Sequence, residues 1–178
     1  MNELFKRVLV AALLIPVVLI ILYFQGLSLV ITLAIIVFLG GLEYIRMMHK
    51  AKIQISYVWI VLNCLFYFAI VYIKGRDFSL LWLALLFALI ESITTWNAER
   101  SIPRLFATFF CFVYTALFPA LIARISLSYS EYNFLLALIL MIWFVDSIAY
   151  FVGMKIGKHR NITAISPQKS LEGFLAGI

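Results

Sequence analysis

The stretch V-L-V-A-A-L-L-I-P-V-V-L-I-I-L-Y-F-Q-G-L-S-L-V-I-T-L-A-I-I-V-F-L-G-G-L, from Val8 to Leu42, contains no charged residue. Gln25-Gly26 divides it into runs of 17 and 16 residues. As a helix, each run would be roughly 25 Å long, a little under the ~30 Å hydrocarbon core of a bilayer. The reading is a tight helical hairpin with some bilayer thinning or snorkelling at its flanks; a single tilted helix is the alternative. Pro16 lacks a backbone donor and crowds the preceding turn, so a kink is expected in the first helix.

The pattern repeats along the chain. Glu43 to Lys52 reads as a polar connection, and His49 within it as a solvated imidazole. Tyr57 to Ile73 forms a third uncharged run of 17 residues, and Lys74-Gly75-Arg76-Asp77 turns the chain. A fourth run starts at Phe78 and meets Glu91 after 13 apolar residues, so it ends near the interface or continues amphipathically to Trp96. Asn97 to Arg104 connects it to a fifth run of 19 uncharged residues, Leu105 to Ala123, with Pro119 near the end. Arg124 to Glu131 closes that turn, and Tyr132 to Val152 is the sixth helix. A further apolar run, Leu171 to Ile178, begins a seventh that is too short to span.

Composition agrees with this reading. The chain is 66% hydrophobic and 12% charged, with a mean hydropathy of +1.11, far from the ~25% charged residues of soluble domains. The fold class is therefore all-α: a polytopic transmembrane protein with six complete helices and the start of a seventh. It forms one membrane domain over 1–178, with scaffold helices in 1–131 and the polar motifs in 132–178. The net charge of +6 does not call for nucleic acid. Its cations lie in short clusters between apolar runs, where they set topology and meet anionic head groups. Cys64 and Cys111 sit within apolar runs without metal spacing and read as reduced thiols. Tyr23-Phe24-Gln25-Gly26 offers no small-x-small cleavage site, so the first helix is expected to be retained.

Six crossings put both ends on one side. Lys6, Arg7, Arg46, Lys50, Lys52, Arg100, Arg104, Lys155, Lys158, Arg160 and Lys169 then fall on that side, and Lys74, Arg76 and Arg124 on the other. Eleven cations against three place the N-terminus and the segment after the sixth helix in the cytoplasm.

Most of the concentrated polar chemistry lies between Trp143 and Ile178. Asp146 interrupts an apolar helix, where a carboxylate is expensive and reads as functional. On a helix, Asp146, Tyr150, Gly153 and Gly157 share one face. The carboxylate could ligate Mg²⁺, a hard cation that takes one or two carboxylates and fills its shell with water and phosphate oxygens, or could serve as a structural polar partner. The Gly153 to Gly157 spacing allows either close backbone approach by a ligand or helix packing. Lys155, Lys158, His159 and Arg160 form a cationic loop, with head-group attraction as the simpler reading. Ser166-Pro167 resembles a helix start, with Ser166 as N-cap and Lys169 in the first turn. Exposed backbone donors beside Lys169 would suit a phosphate, with Ser170 and Glu172 on the same turn.

The stretches D-S-I-A-Y-F-V-G-M-K-I-G-K, Asp146 to Lys158, and I-S-P-Q-K-S-L-E-G-F, Ile165 to Phe174, together resemble the phosphatidate cytidylyltransferase (CDP-diacylglycerol synthase) family. The opening K-R-V-L-V-A-A-L-L-I-P and the pair Gly41 and Glu43 are similar as well. The resemblance implies a membrane nucleotidyltransferase of phospholipid biosynthesis. It would join CTP to phosphatidic acid, giving CDP-diacylglycerol and pyrophosphate, with Mg²⁺ required. Among the matching positions it implies Asp146, Lys169 and Glu172 as catalytic, with Asp146 facing the metal, and Tyr150, Lys158, Ser166 and Ser170 as substrate-binding. The implied setting is the bacterial inner (plasma) membrane, with membrane lipid and a second copy of the chain as partners and no nucleic acid.

Members of that family continue into a signature resembling K-D-x-G-x-x-x-P-G-H-G-G-x-x-D-R-x-D, whose acidic residues complete the metal site. No such segment occurs here, so the chain is expected to represent the family's front two-thirds and to be inactive alone. Readings from other classes are a transporter using Asp146 as an ion relay, a non-catalytic membrane subunit, and a CTP-dependent polyprenol kinase. The first predicts matching polar residues in the other helices, and none is seen; the last should lack the full S-P-x-K-S-x-E-G pattern.

Overall fold

The computed structural model of the protein describes residues 3–129, 133–160, 166 and 169–177. These are helical apart from connections, with no strand among the described residues. They belong to two compact units, Met1–Tyr132 and Asn133–Ile178.

The first unit opens with α1 (Glu3–Phe24) and α2 (Gly26–Lys50). Gln25 at φ 50° and Gly26 at φ 56° break the helix between α1 and α2, so the uncharged stretch forms two helices instead of one. Helix α1 runs through Pro16 without ending there. Helix α2 runs past the expected boundary at Leu42, and Glu43 to Lys50, read above as connection, are its last two turns. No breaker occurs there, Ile45 is fully buried, and Tyr44 Oη donates to Ala107 O at 3.0 Å. Tertiary anchoring thus extends the helix where polarity alone suggested a loop.

Helix α3 (Val58–Tyr72) buries Trp59, Phe66, Tyr67 and Ile70, and Tyr67 Oη donates to Val30 O at 2.8 Å. Gly75, at φ 77°, leads into α4 (Asp77–Thr94). Helix α4 passes Glu91 because its carboxylate is received by the α2–α3 connection and the first turn of α3: it accepts from Ser56 N–H at 2.9 Å and from the Trp59 indole N–H.

Helix α5 (Ser101–Phe112), a π-helical turn (Val113–Leu117) and α6 (Phe118–Ser128) form one continuous 28-residue rod. In the π turn, Phe118 N–H reaches Val113 O, five residues back. The following Pro119 has no N–H and would crowd the carbonyl four residues earlier, so the widened turn accommodates it. Thr115 Oγ1 donates to Cys111 O at 2.8 Å and accepts from Asn63 Nδ2 at 2.9 Å. Fully buried Ala116, Ala120 and Ala123 lie at i, i+4 and i+7 on this rod. Side chains this small let neighbouring backbones approach closely.

The second unit consists of α7 (Phe134–Ile156) and α8 (Leu171–Ala176). Across both units, α2, α4, the Ser101–Ser128 rod and α7 are long and apolar enough to cross a membrane. The apolar parts of α1 and α3, Leu9–Phe24 and Val58–Tyr72, are shorter. The protein is an integral membrane protein of the all-α class, and the exposed Leu13, Phe24, Ile31 and Leu65 are what lipid-facing surfaces require.

At one end of the first unit, Arg124 forks onto Asp77, Nη1 to Oδ1 at 2.6 Å and Nη2 to Oδ2 at 2.7 Å. Arg124 Nη1 also reaches Ile70 O at 3.3 Å, tying three helices together. The side chains are 21% and 39% exposed, so solvent screens the pair. Asp77→Asn should lower stability by about 1 kcal/mol, and Arg124→Lys, which cannot make the fork, should cost nearly as much. Unchanged thermal midpoints in detergent for both variants would remove this pair from the stability of the fold.

Candidate functional site

The residues singled out in the sequence lie on α7, on α8 and on the segment between them. Helix α7 continues through Lys155 and ends at Ile156. Gly157, at ψ 98°, turns the chain out of it. Ser147 Oγ donates back to Trp143 O at 2.7 Å, which keeps its hydroxyl satisfied within the helix. Asp146 is exposed on α7 and makes no hydrogen bond or ion pair among the described residues. Tyr150 is 62% exposed, its ring edge-on to Phe151.

Gly153 and Gly157 are covered by the start of α8. Ser170, only 5% exposed, sits over them. A Cβ at Gly153 would lie 3.0 Å from Ser170 Oγ, and one at Gly157 would lie 2.5 Å from it. Across the contact, a Cβ at Gly173 would lie 2.7 Å from Ala149 O and 3.0 Å from Gly153 Cα. Of the two readings of the glycine spacing, the structure has helix packing: the gaps in the α7 wall are filled by α8.

The start of α8 differs from the expectation. Ser170, not Ser166, is the N-cap: its backbone is extended and its Oγ accepts from Gly173 N–H at 3.2 Å. Ser166 instead accepts, through its carbonyl, from Lys169 N–H at 3.2 Å. Pro167, read as the first helical residue, lies outside the described residues. Lys169 therefore precedes the helix instead of opposing its dipole from the first turn. The backbone donors expected to hold a phosphate are also engaged. Leu171 N–H bonds His159 O at 2.9 Å, and Gly173 N–H bonds Ser170 Oγ.

Glu172 clamps the cationic loop. Its carboxylate accepts from His159 N–H at 3.2 and 3.3 Å and pairs with His159 Nδ1 at 2.7 Å. The His159 side chain, then the Glu172, His159 and Lys158 backbone donors, pull the Glu172 carboxyl down to about 2. Arg160 and Ser170 form an isolated antiparallel bridge beside it. Sequence reasoning missed this partnership of His159 and Glu172, because they lie 13 positions apart in the chain and no periodicity links them. Lys158 and Lys169 are exposed, with no ion pair among the described residues.

The structure thus gathers Ser170 and Glu172 with Gly153, Gly157 and His159, and leaves Asp146 and Tyr150 outside that cluster of bonds. Among the described residues no group of three or more His, Cys, Asp or Glu stands together to hold a metal. With Glu172 committed to His159, Asp146 offers one free carboxylate. That does not amount to a Mg²⁺ site by itself.

The Cytidylyltransferase family matches the chain over residues 5–178. A phosphatidate cytidylyltransferase of Aquifex aeolicus (strain VF5) is 35% identical over 96 residues, 53% of this chain and 36% of the relative. One from Staphylococcus aureus (strain COL) is 39% identical over 46 residues, 26% of this chain and 18% of the relative. One from Staphylococcus epidermidis is 41% identical over 46 residues, with the same coverage. The matched parts span well under two thirds of these relatives. No solved structure matches the chain.

Two outcomes check the α7–α8 geometry. Gly157→Ala forces a methyl onto Ser170 and should destabilise the contact by about 1–3 kcal/mol, with Gly153→Ala milder. Equal tolerance of both, read by protease resistance of the loop, would refute the packing. The Glu172 carboxylate, ordinarily near 4.5, titrates at about 2 when clamped. Its contribution is therefore full above about 4.5 and is lost as pH falls from there towards 2. Amide exchange at Lys158 and His159, corrected for intrinsic rates, should rise over that window, and Glu172→Gln should show the same rise at neutral pH.

Proposed function

Because the chain belongs to the cytidylyltransferase family, we propose that it serves the transfer of a cytidylyl group from CTP to phosphatidic acid, giving CDP-diacylglycerol and pyrophosphate. The observation that carries the reading is the family match along residues 5–178. The relatives named as phosphatidate cytidylyltransferases supply the substrates. A membrane-embedded helical protein is also the setting in which a lipid phosphate and a water-soluble nucleotide have to meet.

In this reaction a phosphate oxygen of the lipid forms a bond to the α-phosphorus of CTP. The bond from that phosphorus to the bridging oxygen breaks, and pyrophosphate departs with the electron pair. Both substrates are anionic, so the protein must offset charge at the approach and on the leaving group. Lys158 and Lys169, exposed and without ion pairs among the described residues, are suited to that work. Ser166 and Ser170 belong to the same stretch, where Ser170 acts by seating α8 on α7. Glu172, engaged by His159, is read as a positioning residue that holds the loop presenting Lys158. Tyr150 offers a phenol one turn from Asp146 for a headgroup contact. Mg²⁺, when bound, neutralises triphosphate charge; the described residues contribute Asp146 alone towards it.

The membrane is read as the bacterial inner membrane, with the N-terminus and the α7–α8 loop cytoplasmic. The eleven-to-three division of cations supports that orientation.

The test is transfer of radiolabelled CTP into extractable lipid by membranes containing the chain in its full reading frame. Asp146→Asn should lower turnover at least about a hundredfold while leaving membrane insertion intact. Lys158→Gln and Lys169→Gln should each raise KM for CTP about tenfold. A normally inserted Asp146→Asn protein of undiminished activity would take Asp146 out of the site. An inserted wild-type protein that makes no CDP-diacylglycerol would overturn the reading.

A further inference from the structure

The α2–α3 connection and the end of α4 enclose, with the start of α5, a cavity of about 560 Å³ built entirely from the first unit. That is the size range of small-ligand sites. Its charge is strongly one-sided. Lys52, Arg100 and Arg104 line it, and Glu91 is its sole carboxylate. Glu91 is already engaged by Ser56 N–H and the Trp59 indole, so it neutralises none of the three cations directly. Lys52 and Arg100 are exposed and make no side-chain bond among the described residues. Arg104 donates through Nη1 to Thr95 Oγ1 and O, yet its Nε is buried without a partner among the described residues.

The walls are held in place independently of any ligand. His49 Nε2 donates to Ile55 O at 2.8 Å, and its ring packs edge-on to Tyr57 at 5.2 Å. Lys52 occupies the left-handed region at φ 64°, which a lysine adopts only where the surrounding structure imposes it. Asn97 N–H bonds Ser101 Oγ at 2.8 Å, and Ser101 is fully buried, so the turn carrying Arg100 is anchored as well.

We propose that this cavity binds a phosphate group, presented either by an anionic lipid headgroup or as a free anion. Three cations line one cavity against a single carboxylate, which leaves it net positive, and Arg guanidinium groups match the oxygen spacing of phosphate. The site rests on no residue of the Asp146–Phe174 motif and stands apart from the function proposed above.

The experiment uses the full chain carrying Lys158→Gln and Lys169→Gln, which silence anion binding at the motif, in phosphatidylcholine nanodiscs. One arm adds radiolabelled inorganic phosphate, the other dioctanoyl phosphatidylglycerol read by native mass spectrometry. Saturable binding is expected in at least one arm, weakened about tenfold by Arg104→Gln. Arg104 also holds Thr95, so Lys52→Gln with Arg100→Gln, which breaks no side-chain bond among the described residues, should weaken binding to the same degree. Binding in the lipid arm alone assigns a headgroup, in the phosphate arm alone a soluble anion, and in both a site open to either. No saturable binding in either arm, or binding unchanged in the Lys52 and Arg100 double variant, overturns the proposal.

Discussion

Helices surrounded by lipid gain little by burying more apolar surface against one another, so small residues and polar contacts must set how they pack. The first unit depends on this constraint throughout. Ala116, Ala120 and Ala123 on the long rod, and Ala84 and Ala88 on α4, are almost wholly buried. Several polar groups away from water find partners across the unit: Tyr67 on Val30, the Asn63 amide nitrogen on Thr115, Ser126 on Gln25. The π turn belongs to the same logic. It accommodates Pro119 while Thr115, inside the turn, accepts from Asn63.

The second unit solves a local version of the problem with glycine. Six residues of α8 are too few to hold a helix by propagation alone. It is held because Gly153, Gly157 and Gly173 remove the side chains that would keep Ser170 and α8 from α7. Ser170 then does two things at once, filling that gap and capping α8 through Gly173 N–H. The clamp of Glu172 on His159 fixes the start of the cationic loop. Pattern elements that look like ligand contacts in the sequence therefore carry structural duties in the fold.

Engagement of charge separates the acidic residues. Asp77, Glu91 and Glu172 are each held by named donors, from Arg124, from Ser56 and Trp59, and from His159. Asp146, on an apolar helix, has no partner among the described residues. A carboxylate in such surroundings is costly unless something charged or polar answers it. Lys52, Arg100, Lys158 and Lys169 likewise carry no ion pair among the described residues.

The sequence by itself determined the class of the protein and most of its helices. Uncharged runs of bilayer length and clustered cations are local properties, readable residue by residue. The paired motif around Asp146 and Ser170 pointed to the family in the same way, through fixed spacing along the chain. Only the tertiary structure decided the extension of α2 through Lys50, the N-cap at Ser170 in place of Ser166, and the clamp between His159 and Glu172. It alone assembled the cationic cavity from Lys52, Arg100 and Arg104. Each of these rests on atoms that meet across a loop or between helices, and such meetings leave no periodic trace in the order of residues.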